Sequence, residues 1–119
     1  MSIYDELKAI KESLEKPFPY GDIYKIQEDF NKELSEDDTL TADLNTYWMN
    51  IAGSLSYVLK GIPNKIPQGQ IDWLQLSFID IFQKYRFFEE KIADYPSFYE
   101  VYLNYEKARK ILLDYLSYN

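Results

Sequence analysis

The sequence predicts an all-α fold, an antiparallel bundle of about five helices, on three observations. Apolar residues recur three and four positions apart along most of the chain, no stretch keeps the strict alternation of a strand, and prolines stand between the periodic segments. With 119 residues, 46% of them hydrophobic and 28% charged, the chain is expected to form one helical domain over residues 1–119. A domain of that size buries roughly 65% of the surface exposed by its unfolded chain.

Ile3, Leu7, Ile10 and Leu14 lie on one stripe of a first helix, which stops at Pro17 and Pro19 because proline lacks an amide donor and clashes with the preceding turn. Lys16 to Gly21 then reads as a linker. Asp22 is placed to cap a second helix with Ile23, Ile26, Phe30 and Leu34 inward, ending near Glu36, Asp37 and Asp38. A third helix, starting at Thr39 or Thr41, presents Leu44, Trp48, Ile51, Leu55 and Leu59, and closes at Gly61 with Pro63 beyond. Gly53 interrupts it at a cost of about 1 kcal/mol relative to alanine, which points to close helix packing or a functional contact, and its neighbours Ala52 and Ser54 favour the approach of another helix.

Ile62 to Gly69, with Pro63 and Pro67, is the clearest loop. The spacing predicts a long fourth helix from Gln70 into Ala93, with Ile71, Leu74, Phe78, Ile81, Phe82, Tyr85 and Phe88 inward. After a break at Asp94 to Pro96, Ser97 and Glu100 have the spacing of a capping box. The last helix carries Phe98, Val101, Tyr105, Leu112 and Leu116. Short loops between helices favour antiparallel neighbours.

The residues that are missing bound the chemistry. With no cysteine there are no disulfides and no thiolate nucleophiles, and with no histidine the usual proton shuttle and commonest transition-metal ligand are gone. Carboxylates are what remains. Asp37, Asp38 and Asp43 lack the spacing of a calcium loop, and neither Glu28 with Glu33 nor Glu89 with Glu90 has a partner that would hold one acid neutral. The chain is therefore expected not to be an enzyme and to have no cofactor, catalytic residue or metal site. A carboxylate-based metal-binding protein stands as a distant alternative. Met1 to Leu14 mixes acids and lysines into its apolar residues, and no apolar run nears the roughly 20 residues that span a bilayer. These features, with the absent cysteines, point to the cytoplasm.

The net charge of −7 is concentrated in one place. Gly21 to Thr46 holds eight acids against two bases, whereas Tyr47 to Asn119 holds eight of each. Such a region repels nucleic-acid phosphates and anionic lipid and steers a basic protein toward it. The expected partner-binding residues are Glu28, Asp29, Glu33, Asp37, Asp38, Asp43 and Tyr47, the tyrosine as an aromatic anchor beside the acids. Trp48 falls on the apolar stripe and is assigned to the core. Set against this is the plain reading that Glu36 to Asp38 form a solvated loop between helices. A second class of partner, a host-cell protein docked by an adaptor, would use the crowded tyrosines of the last helix: Tyr95, Tyr99, Tyr102, Tyr105, Tyr115 and Tyr118.

Three stretches, KPFPYGDIYKIQEDF from Lys16, DLNTYWMNIAGSLSYVLKGIPNKIP from Asp43 and DYPSFYEVYLNYEKARKILLDYL from Asp94, resemble the YxiJ-like proteins of Bacillus and its relatives over nearly the whole chain. The resemblance implies an immunity or orphan immunity protein for a secreted polymorphic toxin. It brings no established site residues with it.

Overall fold

A computed structural model of the chain describes residues 2–15, 17–30, 32 and 40–117. Among them are six α-helices and no strand: α1 (Ile3–Ser13), α2 (Tyr20–Asp29), α3 (Leu40–Leu59), α4 (Gln68–Leu74), α5 (Phe78–Ile81) and α6 (Pro96–Ser117). Tight 3-10 turns at Pro63–Lys65, Gln83–Phe88 and Ile92–Asp94 join the later ones.

Each early helix follows from its stripe. The Ser2 hydroxyl accepts the Asp5 amide to start α1, which buries Leu7 and Ile10. From α2, Ile23 and Ile26 are buried. The α3 stripe runs through Leu40, Leu44, Trp48, Ile51, Leu55 and Val58. That helix ends as expected, with Gly61 at φ +76°, a left-handed conformation that glycine adopts without steric cost. The Ile62 amide donates to the Tyr57 carbonyl at 2.9 Å and the Gly61 amide to the Val58 carbonyl at 3.0 Å, the bond pair that satisfies free carbonyls at a helix end.

The long helices pack around a continuous core. Tyr4 Oη donates to the Leu59 carbonyl at 3.1 Å, while Leu14 and Leu55 line one small cleft, so α1 runs opposite to α3. Residues 17–19 turn against Ser97, Glu100 and Val101, so α6 starts where α1 ends and also runs opposite to it. Trp48 of α3 lies between the rings of Phe18 and Tyr105, at 4.9 and 5.1 Å between centroids.

Several helix boundaries differ from expectation: α2 starts at Tyr20, inside the expected linker, and ends at Asp29, short of the expected end near Glu36, and α4 starts at Gln68, within the expected loop. The stretch from Gln70 to Ala93 is not one helix: Ser77 Oγ accepts the Asp80 amide at 3.2 Å, and Asp80 Oδ2 accepts the Ser77 amide at 3.3 Å. That reciprocal capping starts a new helix in place of extending the old one. The break lets Phe78 and Tyr85 stack at 5.2 Å with their planes 7° apart, whereas seven residues of continuous helix would separate them by about 10 Å.

A further difference is at the start of α6. Pro96 is its first residue, a position where the missing amide costs nothing. The Phe98 amide donates to Asp22 Oδ2 at 2.9 Å, so the cap of α6 comes from α2, and Asp22 serves a different helix from the one it was expected to begin. The inward placement expected for Leu34 and for the Phe88 side chain lies outside the described residues.

Candidate functional site

The acidic residues singled out from the sequence fall into three groups. Glu28 is exposed on α2. Asp29 and Asp43 take part in the fold: Asp29 Oδ2 accepts from Tyr95 Oη at 2.8 Å, and Asp43 Oδ2 accepts from Tyr85 Oη at 2.5 Å and pairs with Lys84 Nζ at 3.1 Å. Lys25 Nζ lies 5.9 Å from the centre of the Tyr95 ring. Glu33, Asp37 and Asp38 lie outside the described residues. Among the described residues no three carboxylates are grouped to hold a metal ion, and no helix is long and apolar enough to cross a membrane.

Tyr47 is not at the surface. It is 2% exposed, because α3 is packed against α1, α2, α4 and α6, and its buried stripe takes in both Tyr47 and Trp48. The Tyr47 ring packs against Phe78 at 5.7 Å, and its hydroxyl donates to Glu106 Oε1. Glu106 Oε2 accepts from Arg109 Nη2 at 2.7 Å and Nε at 3.3 Å, and Arg109 Nη1 donates to the Leu74 carbonyl at 2.8 Å. This relay ties α3, α6 and the end of α4 together. Burial works against the charge of Arg109, but Glu106 outweighs it and raises the guanidinium pKa.

The tyrosines around α6 face inward more than outward. Tyr95 is buried and Tyr99, Tyr102, Tyr105 and Tyr115 are half-buried, leaving little of an aromatic docking face; Tyr118 lies outside the described residues. Burial raises the phenol pKa of Tyr47, and Glu106 adds to the shift. Burial, with the bond to Asp29, pushes Tyr95 up to about 12.

A raised tyrosine pKa stabilises the fold while the phenol is neutral in both states. That contribution is lost once pH passes about 10, where the unfolded phenol ionises and the folded one keeps its proton. Each such tyrosine then costs roughly 1.4 kcal/mol per pH unit until its folded pKa is reached. Urea unfolding at pH 8, 10 and 11 should therefore give a stability that holds and then falls. A curve flat through pH 11 would contradict these buried contacts.

Between α3 and α4 runs an open groove of about 650 Å³. Met49, Tyr57, Pro67 and Trp73 wall it, and Asn50, Gly53 and Gln70 form its floor. The helices are held there by amide bonds: Gln70 Nε2 donates to the Asn50 carbonyl at 3.0 Å and to Ser54 Oγ at 2.7 Å, and Asn50 Nδ2 donates to the Gln70 carbonyl at 3.4 Å. A Cβ on Gly53 would come within 3.3 Å of Gln70 Nε2, so the glycine does admit a neighbouring helix, which is α4. Met49, at 72% exposed, and Trp73 bring large apolar surface to the rim. The groove went unseen in the sequence because α4 was read as the start of a long helix. Gly53 was the one signal of it.

The family model for YxiJ-like protein matches residues 5–113. A relative, the immunity protein WapI of Bacillus subtilis subsp. natto (strain BEST195), is 29% identical over 108 residues, which cover 91% of this chain and 82% of that protein. No solved structure matches the chain.

Proposed function

The chain belongs to the YxiJ-like protein family, and from that premise we propose that it is an immunity protein, which binds a toxin domain and neutralises it by occlusion without chemistry of its own. The observation that carries this reading is the likeness to an immunity protein, which runs through nine-tenths of the chain. Its composition agrees with a binding role: a chain without cysteine or histidine lacks the side chains most used in nucleophilic and proton-transfer catalysis.

The partner is a basic protein. A net charge of −7, mostly within Gly21 to Thr46, steers a cationic surface into encounter and disfavours nucleic acid and anionic lipid. Glu28, exposed on α2, supplies part of this field, Glu33, Asp37 and Asp38 add to its charge in the sequence, and Asp29 and Asp43 contribute charge from within their bonds to tyrosine. The protein acts in the cytoplasm of the cell that makes it.

Co-expression with the toxin domain encoded beside its gene is the test. Cells carrying both should keep growing where the toxin domain alone arrests them. Equal arrest with and without this chain would refute the proposal.

A further inference from the structure

The outward side of α2 carries what Tyr47, buried in the core, does not supply: exposed aromatic rings beside an acid. Tyr20 is 50% and Tyr24 59% exposed. With Glu28, also exposed, they stand four residues apart on one stripe of the helix, turned away from the buried Ile23 and Ile26.

The rings form a ladder. Tyr20 stacks on Tyr24 at 6.2 Å between centroids with the planes 24° apart, and Phe18 lies 4.3 Å from Tyr20. Phe18 in turn meets Trp48 of the core edge-on at 4.9 Å, so the ladder is rooted in packed structure. Rings held in place before contact lose little freedom on binding. The hydroxyls of Tyr47, Tyr85 and Tyr95 are bonded to carboxylates within the fold, whereas those of Tyr20 and Tyr24 have no hydrogen bond among the described residues.

Charge lies at the end of the ladder. Glu28 and Asp29 occupy the last turn of α2, which holds no basic residue. The carbonyl end of a helix is itself partly negative, so two acids there disfavour the isolated helix and draw a cation. Asp29 is bonded by Tyr95, but Glu28 has no ion pair or hydrogen bond among the described residues. Lys25, the base of this helix, lies 5.9 Å from the centre of the Tyr95 ring, off the stripe.

Two ring faces followed by an open carboxylate match a planar cation on an apolar stem. Arginine fits both parts, because its guanidinium stacks on tyrosine and its fork of donors meets a carboxylate through two parallel bonds.

We propose that the Tyr20–Tyr24–Glu28 stripe of α2 is a contact surface for a basic toxin domain and receives one of its arginines, the rings packing along the stem and Glu28 pairing with the guanidinium. The inference rests on the immunity reading. It adds which helix face makes the contact and by what chemistry.

Four variants at exposed side chains decide it, each titrated with the toxin domain encoded beside the gene after circular dichroism shows native helix content. Tyr24→Ala and Glu28→Lys should each weaken binding roughly tenfold or more, as anchoring residues of an interface do. Tyr24→Phe keeps the ring and should bind within about twofold of the wild type. Asp114, exposed near the far end of α6, stands about 24 Å along that helix from Phe98. Asp114→Lys repeats the charge change there and should also alter affinity less than about twofold. If the wild type binds but Asp114→Lys weakens binding as much as Glu28→Lys, or Tyr24→Ala binds no more weakly than Tyr24→Phe, the assignment of this face is overturned. If the wild type does not bind the toxin domain at all, the immunity reading itself fails and the assignment falls with it.

Discussion

Replacing Arg109 with leucine is expected to lower the unfolding free energy by about 3–5 kcal/mol, the usual cost of removing one partner of a buried ion pair. Arg109 is 8% exposed and bonds both Glu106 and the Leu74 carbonyl. Its loss leaves a carboxylate in the interior without its cation and frees a carbonyl at the end of α4. The pair is not a source of stability as such, because desolvating two charges offsets much of their attraction. A triple variant, Tyr47→Phe with Glu106→Leu and Arg109→Met, removes the whole relay and should therefore recover to within about 2 kcal/mol of the wild type. Urea unfolding of the two proteins checks this. A single variant within about 1 kcal/mol of the wild type would mean that Glu106 finds water, contrary to the packing around it.

Trp48 is the second sensitive point, and two substitutions there should separate. The residue is 4% exposed and is enclosed by Phe18, Phe98 and Tyr105. Among the described residues its Nε1 meets no acceptor. Trp48→Ala leaves a large cavity where three elements meet and should cost about 3–5 kcal/mol. Trp48→Phe keeps most of the apolar volume and also removes a buried donor without a partner. Its cost should stay below about 1.5 kcal/mol. Equal losses for the two, read from unfolding midpoints at constant m, would show that the indole nitrogen contributes a bond that the packing does not reveal.

Local features of the fold were legible in the sequence. Leu7 with Ile10, Ile23 with Ile26, and Leu44 with Trp48, Ile51 and Leu55 are buried as their spacing requires, since helical period alone decides which side chains share a face. Gly61 ended α3 because its left-handed backbone is a local property. What escaped reading depends on partners far away in sequence. Asp22 caps α6 across 76 positions. Tyr47 is drawn inside by Glu106, which lies 59 positions on. The break at Ser77 had a local signature in the Ser77–Asp80 spacing, but the apolar period ran through it unbroken, and period was given more weight than capping.

The site shows the same division. The acidic bias of Gly21 to Thr46 is visible in composition, but composition does not tell a free carboxylate from one bonded to tyrosine, as Asp29 and Asp43 are. The groove is a product of α3 meeting α4. Only Gly53, conspicuous inside a helix, announced that something would approach there.

The account as a whole stands on association with a basic toxin domain. Calorimetric titration of the purified chain with the toxin domain encoded beside its gene tests that most directly. A one-to-one complex of nanomolar affinity, weakening as salt screens the acidic field, is the predicted result. No heat of binding, together with no complex at low salt by gel filtration, would contradict it.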